Sequence, residues 1–297
     1  MLINELLFKE ATGINTSLVF EAKQLALVNS QMPGTLTFID DKKYLNEVNE
    51  NKNIVIVITT EEIAKGILKN QKKILVDDPR YEFYLLLNYL GRKNYVKINS
   101  KIHGSAKIHD KAYVSEFNVS IGENTIIGPN ATILPDVSIG DNCVIQPGTV
   151  VGSEGFEYKR TSKGILPVFH DGKVCIGNRV EVGSNTCIDK GFSFKNTIIE
   201  DDVKIDNLVH VAHGVHIMKG AFIIAGTILG GSTIIGEEAW LGINASTAPG
   251  ITIGNNGFVS MGAVVTKNVD EKQQVTGNLA IPHQIFLKIL KRNLSEP

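Results

Sequence analysis

Residues 199–265 read IEDDVKIDNLVHVAHGVHIMKGAFIIAGTILGGSTIIGEEAWLGINASTAPGITIGNNGFVSMGAVV. An aliphatic residue returns at every sixth position, through Ile199, Ile205, Val211, Ile217, Ile223, Leu229, Ile235, Leu241, Ile253, Val259 and Val265, with one lapse at Thr247. A helix repeats its buried face about every 3.6 residues and a strand every two, so a sustained period of six belongs to neither. It is the spacing of a hexapeptide β-helix, in which short strands wind into coils and each coil stacks on the one before. Four places after each aliphatic the residue is small or β-branched, as at Val203, Val209, Val215, Ala221, Thr227, Thr233, Ala239, Ala245 and Ala263. Both registers therefore face a narrow interior.

Outward from this stretch, the same hexad runs through Ile121, Ile127, Ile133, Ile139, Ile145 and Val151, and resumes at Ile176, Val182 and Ile188. Glycine follows the aliphatic at Gly230, Gly236, Gly242 and Gly254, where the expectation is a corner that turns without a Cβ in the way. Two interruptions break the count, at 153–173 and 190–196. Insertions in a solenoid emerge as outside loops that commonly build the binding face, so these two come first in a search for a ligand.

Residues 1–98 lack the hexad and read as an α/β unit. The β-branched run 54–58 predicts a buried strand, 61–68 a short helix and 74–76 another strand. Asp78 and Pro79 open a helix that closes near Gly91. The hexad domain spans 99–270 and a tail follows at 271–297, where Pro282 opens a helix carrying Ile285, Leu287 and Ile289. A solenoid end needs a cover, and capping the last coil is the expected role of that helix. Its Lys288, Lys291 and Arg292 read as a solvated face.

The 297 residues are 43% hydrophobic and 21% charged, an ordinary globular balance, and the net charge of −1 gives no electrostatic case for nucleic acid or an acidic membrane surface. The start, MLINELLFKEATG, has no basic leader followed by an apolar stretch, and no apolar run approaches the roughly 20 residues needed to cross a bilayer. Cys143, Cys175 and Cys187 are too few and too scattered for a disulfide framework. A cytoplasmic setting is expected.

Three segments carry a resemblance: TLTFIDDKKY (35–44), GSEGFEY (152–158) and IDNLVHVAHG (205–214). In this order they resemble motifs of the UDP-3-O-acylglucosamine N-acyltransferase (LpxD) family, and the similarity runs over nearly the whole chain. Within that family the chain is most similar to the AntD-type enzymes, which acylate dTDP-4-amino-4,6-dideoxyglucose in anthrose biosynthesis. The resemblance implies a mainly β fold, a left-handed parallel β-helix with a small N-terminal α/β domain and a short C-terminal helix. It also implies a homotrimer with sites between neighbouring subunits, and transfer of an acyl group from a coenzyme A thioester to a nucleotide-linked amino sugar. The tail is shorter than the helical extension LpxD uses with acyl carrier protein, which favours coenzyme A as donor. The alternative is LpxD chemistry itself, with acyl carrier protein and UDP-3-O-acylglucosamine.

The same resemblance assigns roles. His213, in VAHG, stands at the family's catalytic base; histidine suits the task, because a group neutral near pH 7 can take a proton from an attacking amine. Gly231, three hexads on, stands where a backbone N–H faces the thioester oxygen. Phe38 and Tyr44 match the aromatic pair that sandwiches the pyrimidine, and Asp41 replaces the family's Asn, a change consistent with thymine in place of uracil. Gly155, Phe156 and Tyr158 are expected to enclose the sugar, with Asn207 beside it and His210 in the same substrate-binding set. The chain departs from the family at Gly214, where Asn is usual, and at Pro249–Gly250, where the family carries Gly-His. Ala263 stands among the positions that limit acyl length.

The spacing of His210, His213 and His216 suggests a metal site, but successive hexads lie on different faces of a coil and the three should diverge. No metal is expected. None of the three cysteines has a base beside it in sequence, so direct transfer is expected rather than an acyl-enzyme. A nucleotide-sugar-binding scaffold without activity and a zinc carbonic anhydrase are the rival readings of the same solenoid.

Overall fold

A computed structural model describes residues 2–193, 195–277 and 280–295. From Lys101 to Val275 the chain winds as a left-handed parallel β-helix with three faces. One face runs from Lys101–Ile102 to Thr252–Ile253, the second from Lys107–Ile108 to Gln274–Val275 and the third from Tyr113–Val114 to Val264–Val265. Neighbouring strands pair in parallel with the aliphatics in register, Ile121 with Ile139, Ile205 with Ile223 and Val211 with Leu229. Three hexads thus make one coil, and the next coil repeats each side chain 18 residues on, as these pairs show. Ile133, Ile145, Val211, Ile223, Leu229, Leu241 and Ile253 are fully buried in the bore. Each such side chain removed from water contributes about 1.5–3 kcal/mol, which is what holds strands of two or three residues in place.

The corner glycines stand where a Cβ would be in the way, as expected, and the obstacle is the next coil. Gly230 and Gly242 do not adopt positive φ; a Cβ on either would lie 2.7 Å from a backbone nitrogen of the next coil. The left-handed corner residues come two places later, at Ser232 (φ 60°) and Asn244 (φ 55°). The lapse at Thr247 also has a cause. Its buried hydroxyl accepts the Gly230 N–H at 3.0 Å, a bond that an aliphatic could not make.

The N-terminal unit is a four-stranded parallel sheet of Gln24–Leu25, Thr35–Phe38, Ile54–Thr59 and Lys72–Leu75. The helix Pro79–Lys93 packs on it through Phe83, Leu86 and Leu87, and Asp78 caps it by accepting the Tyr81 N–H at 2.9 Å. The expected helix at 61–68 is only Glu61–Ala64, because the chain turns at Gly66 to pass against Leu45.

The long interruption forms an antiparallel hairpin, Tyr158–Thr161 with Gly164–Pro167, clamped onto that helix. Asn88 donates to the Pro167 carbonyl at 2.8 Å and accepts the Phe169 N–H at 2.7 Å, and Asp78 accepts the Ser162 N–H at 2.6 Å. Phe169 presses on Gly91, where a Cβ would lie 2.3 Å from its ring.

In the terminal helix His283–Ser295, Ile285 and Ile289 are 48% and 43% exposed in the single chain. Among the described residues no helix is long and apolar enough to cross a membrane.

Candidate active site

His213 follows the strand His210–Val211 at a coil corner. Its carbonyl accepts the Ser232 N–H from the next coil at 2.9 Å, and Gly214 behind it donates to the Thr197 hydroxyl at 2.9 Å. The imidazole lies against the Gly231 backbone, where a Cβ would sit 2.4 Å from Cε1 and 2.6 Å from Nε2. Gly155, from the long insertion, approaches the other ring atoms, and a Cβ there would lie 3.0 Å from Cδ2. The Phe192 ring, from the short insertion, packs 4.9 Å away at 65°. Both interruptions of the hexad and two stacked coils thus converge on one ring. Among the described residues the Gly231 N–H meets no hydrogen-bond acceptor, while its carbonyl accepts the Gly250 N–H at 2.9 Å.

Burial pushes the His213 pKa below the ordinary 6.5, and the charge of Glu157 acts in the opposite direction. The ring is therefore neutral at pH 7 and able to accept a proton. Its Nε2 faces Glu157 Oε2 at 3.7 Å, whereas its Nδ1 is buried without a partner among the described residues. Glu157 is also ion-paired with Lys159, whose ammonium lies 4.8 Å over the Tyr84 ring and 5.9 Å from that of Phe192.

A second histidine stands close by. His170 is buried, its ring centroid 6.4 Å from that of His213. Gly155 donates its N–H to His170 Nε2 at 3.1 Å, which leaves the ring proton on Nδ1 for the Val168 carbonyl at 3.0 Å. Burial lowers its pKa too, so it serves as a neutral brace that holds Gly155 against His213.

From Lys159 a pocket of about 400 Å³ opens into the N-terminal unit, lined by Phe38, Asp40, Tyr44, Arg80 and Tyr84 among others. Phe38 and Tyr44, six apart in sequence, share this pocket with Lys159, the ion-pair partner of Glu157. Asp41 does not. It caps the short 3-10 turn Lys42–Tyr44 by accepting the Lys43 N–H at 2.9 Å and pairs with Lys43 at 3.3 Å. The acid in the pocket is Asp40, paired with Arg80 at 2.8 Å. A Ser/Thr/Asp residue before a short helical turn is a capping signal, which is the competing demand that takes Asp41 away from the pocket. A larger cleft of about 820 Å³ lies between Gly91, Phe169 and the first coils, but neither His213 nor Gly231 lines it.

The other expected residues distribute unevenly. Phe156 is 89% exposed and stacks loosely on the half-exposed Tyr158, ring centroids 5.0 Å apart. Asn207 is exposed at a corner, where its side-chain oxygen accepts the Ser184 N–H of the preceding coil at 2.6 Å, a turn role. His210 and His216 lie on different faces of the coil, and His216 pairs with Glu200 at 2.7 Å. His210 instead faces Asp189 at 3.7 Å.

Cys187, Asp189 and His210 bring donor atoms within 4.8 Å of one another, a grouping that neither the hexad nor the histidine spacing disclosed. Cys187 therefore does have an acid and an imidazole beside it, contrary to its appearance in sequence. Burial pushes its thiol pKa up, which keeps it a thiol, and Asp189 is held by the Ser153 hydroxyl at 2.7 Å.

Glu157, Lys159, Tyr84, Phe192 and His170 were not singled out in the sequence. Glu157 and Lys159 are two apart where a strand begins, so they share one face, and that alternation within the long insertion was the available signal.

The model described as bacterial transferase hexapeptide (six repeats) matches residues 118–153, and that described as hexapeptide repeat of succinyl-transferase matches 232–267. The UDP-3-O-acylglucosamine N-acyltransferase of Helicobacter pylori is 29% identical over 235 residues, covering 72% of this chain and 69% of that protein. The enzyme of the same name from Fusobacterium nucleatum is 32% identical over 204 residues, 60% of each. A probable UDP-3-O-acylglucosamine N-acyltransferase 2, mitochondrial, of Arabidopsis thaliana is 36% identical over 160 residues, 54% of this chain and 52% of that one. Among solved structures, a UDP-N-acetylglucosamine acyltransferase from Campylobacter jejuni shares the fold, with a TM-score of 0.50 at 21% identity over 65% of this chain and 78% of the other.

Proposed function

We propose that this chain, a hexapeptide-repeat acyltransferase, moves an acyl group from a thioester onto the amine of a nucleotide-linked amino sugar. The observation that carries this reading is the contact of a neutral imidazole, His213, with the Gly231 backbone, linked through Glu157 to Lys159, which lines the pocket that holds Phe38 and Tyr44. In this reading the nucleotide base lies between the two rings and the sugar extends past Lys159 towards His213. His213 Nε2 accepts a proton from the amine, whose nitrogen attacks the thioester carbonyl. The Gly231 N–H stabilises the oxyanion, and the donor leaves as its thiol. No acyl-enzyme is required, in keeping with a protonated Cys187.

The relatives' names favour UDP-3-O-acylglucosamine as acceptor. The second reading, dTDP-4-amino-4,6-dideoxyglucose with a coenzyme A donor, is favoured by Pro249–Gly250 standing where the family's Gly-His would be. A homotrimer, with the exposed outer faces of the prism covered by neighbouring subunits, belongs to both readings.

Incubation of the protein with acyl-coenzyme A or acyl-acyl carrier protein and each acceptor, followed by mass spectrometry of the sugar, tests the proposal. A product heavier by one acyl group and stable to hydroxylamine marks an amide. Failure of every combination to release thiol would leave a nucleotide-sugar-binding scaffold.

A further inference from the structure

We propose that Glu157 recognises the acceptor's amine in its protonated form, and that it is the feature by which this site selects an amine over a hydroxyl. The inference rests on the amine-acceptor reading above and concerns a residue that reading does not need.

Glu157 is mostly buried, its side chain 14% exposed, and Oε2 stands 3.7 Å from His213 Nε2. A carboxylate so placed adds negative charge at the point where the acceptor nitrogen must lie. Its other oxygen, Oε1, already binds one primary ammonium, Lys159 Nζ, and Oε2 is turned to His213. A sugar amine reaching His213 at neutral pH arrives largely as the same chemical group. Charge-assisted hydrogen bonds are roughly twice as strong as neutral ones, so a hydroxyl in that position recovers less from Glu157 than an ammonium does. In the tautomer that lets Nε2 act as the base, the imidazole offers Oε2 no N–H, so the carboxylate is left to the acceptor. Lys159 keeps Oε1 and the Tyr84 ring at 4.8 Å, and borders the nucleotide pocket.

The proton count closes. The ammonium docks on Glu157 and passes one proton to His213 Nε2; the freed lone pair forms the C–N bond, and the C–S bond breaks. The nitrogen loses a second proton as the amide forms. One of the two leaves with the thiol and the other is released to water.

The test is calorimetry on the full chain at pH 7 with two matched pairs: UDP-3-O-acylglucosamine against UDP-3-O-acylglucose, and dTDP-4-amino-4,6-dideoxyglucose against dTDP-6-deoxyglucose. For the acceptor that binds, wild-type protein is expected to prefer the amine by about tenfold or more. Glu157→Gln should bring the ratio to within about threefold while leaving the hydroxyl analogue's Kd unchanged, and Glu157→Asp should restore part of the preference. Undiminished selectivity in Glu157→Gln overturns the role of Glu157 and leaves the acceptor reading intact. No binding of either amino sugar by wild-type protein overturns the acceptor reading and this inference together.

Discussion

The His213 imidazole rests on the backbone of Gly231, one coil further along, so closely that a Cβ at 231 would lie 2.4 Å from Cε1. The contact pairs a base with an amide donor that is unengaged among the described residues, and it leaves no room for any side chain at 231. Gly231→Ala should therefore displace the ring rather than destabilise the coil. Misplacement of a catalytic group by about 1 Å costs on the order of 100-fold in rate. The expected result is a kcat/KM reduced to that extent with an unchanged circular dichroism spectrum and Tm; a fully active variant would show that the contact is incidental.

Thr247 anchors the neighbouring glycine. Thr247→Val keeps the shape but orphans the Gly230 N–H inside the coil, at a cost of about 1–3 kcal/mol. Urea unfolding should show a lower midpoint with the same m-value, and kcat should fall with it because Gly230, the residue that leads into Gly231, loses its tether. An unaltered midpoint would mean that the Gly230 N–H finds another acceptor.

The pH dependence follows from the surroundings of His213. Burial depresses its pKa from 6.5, so the acid limb of kcat/KM should lie below pH 6.5. The Glu157 carboxylate favours the imidazolium and raises that pKa; Glu157→Gln removes the charge, and the limb should move to lower pH still. Movement to higher pH would show that Glu157 does not act on His213.

Phe38→Ala and Tyr44→Ala should each raise KM for the nucleotide sugar by about tenfold with little change in kcat, the loss of one aromatic face on a flat base. A selective fall in kcat would place these rings nearer the chemistry than the pocket does.

The solenoid was legible because a period of six has few physical explanations, and even its lapse at Thr247 marked a working residue. That a Cβ would be in the way at the corner glycines was legible; what it would meet was not, because close approach between coils is a property of stacking. Of the site, His213 and Gly231 could be paired by counting 18 residues, one coil. Glu157, His170 and Phe192 could not, because each arrives on an insertion whose path depends on docking against the helix Pro79–Lys93 or on a loop outside the hexad. Asp41 shows the opposite failure, a residue of suitable chemistry consumed by a local cap.

The most direct measurement is single-turnover acyl transfer by His213→Ala, with nucleotide-sugar affinity measured on the same protein. The account predicts an unchanged Kd and a rate lower by about 10²–10⁴, the usual contribution of a positioned base. A near-normal rate in a folded His213→Ala protein would contradict it.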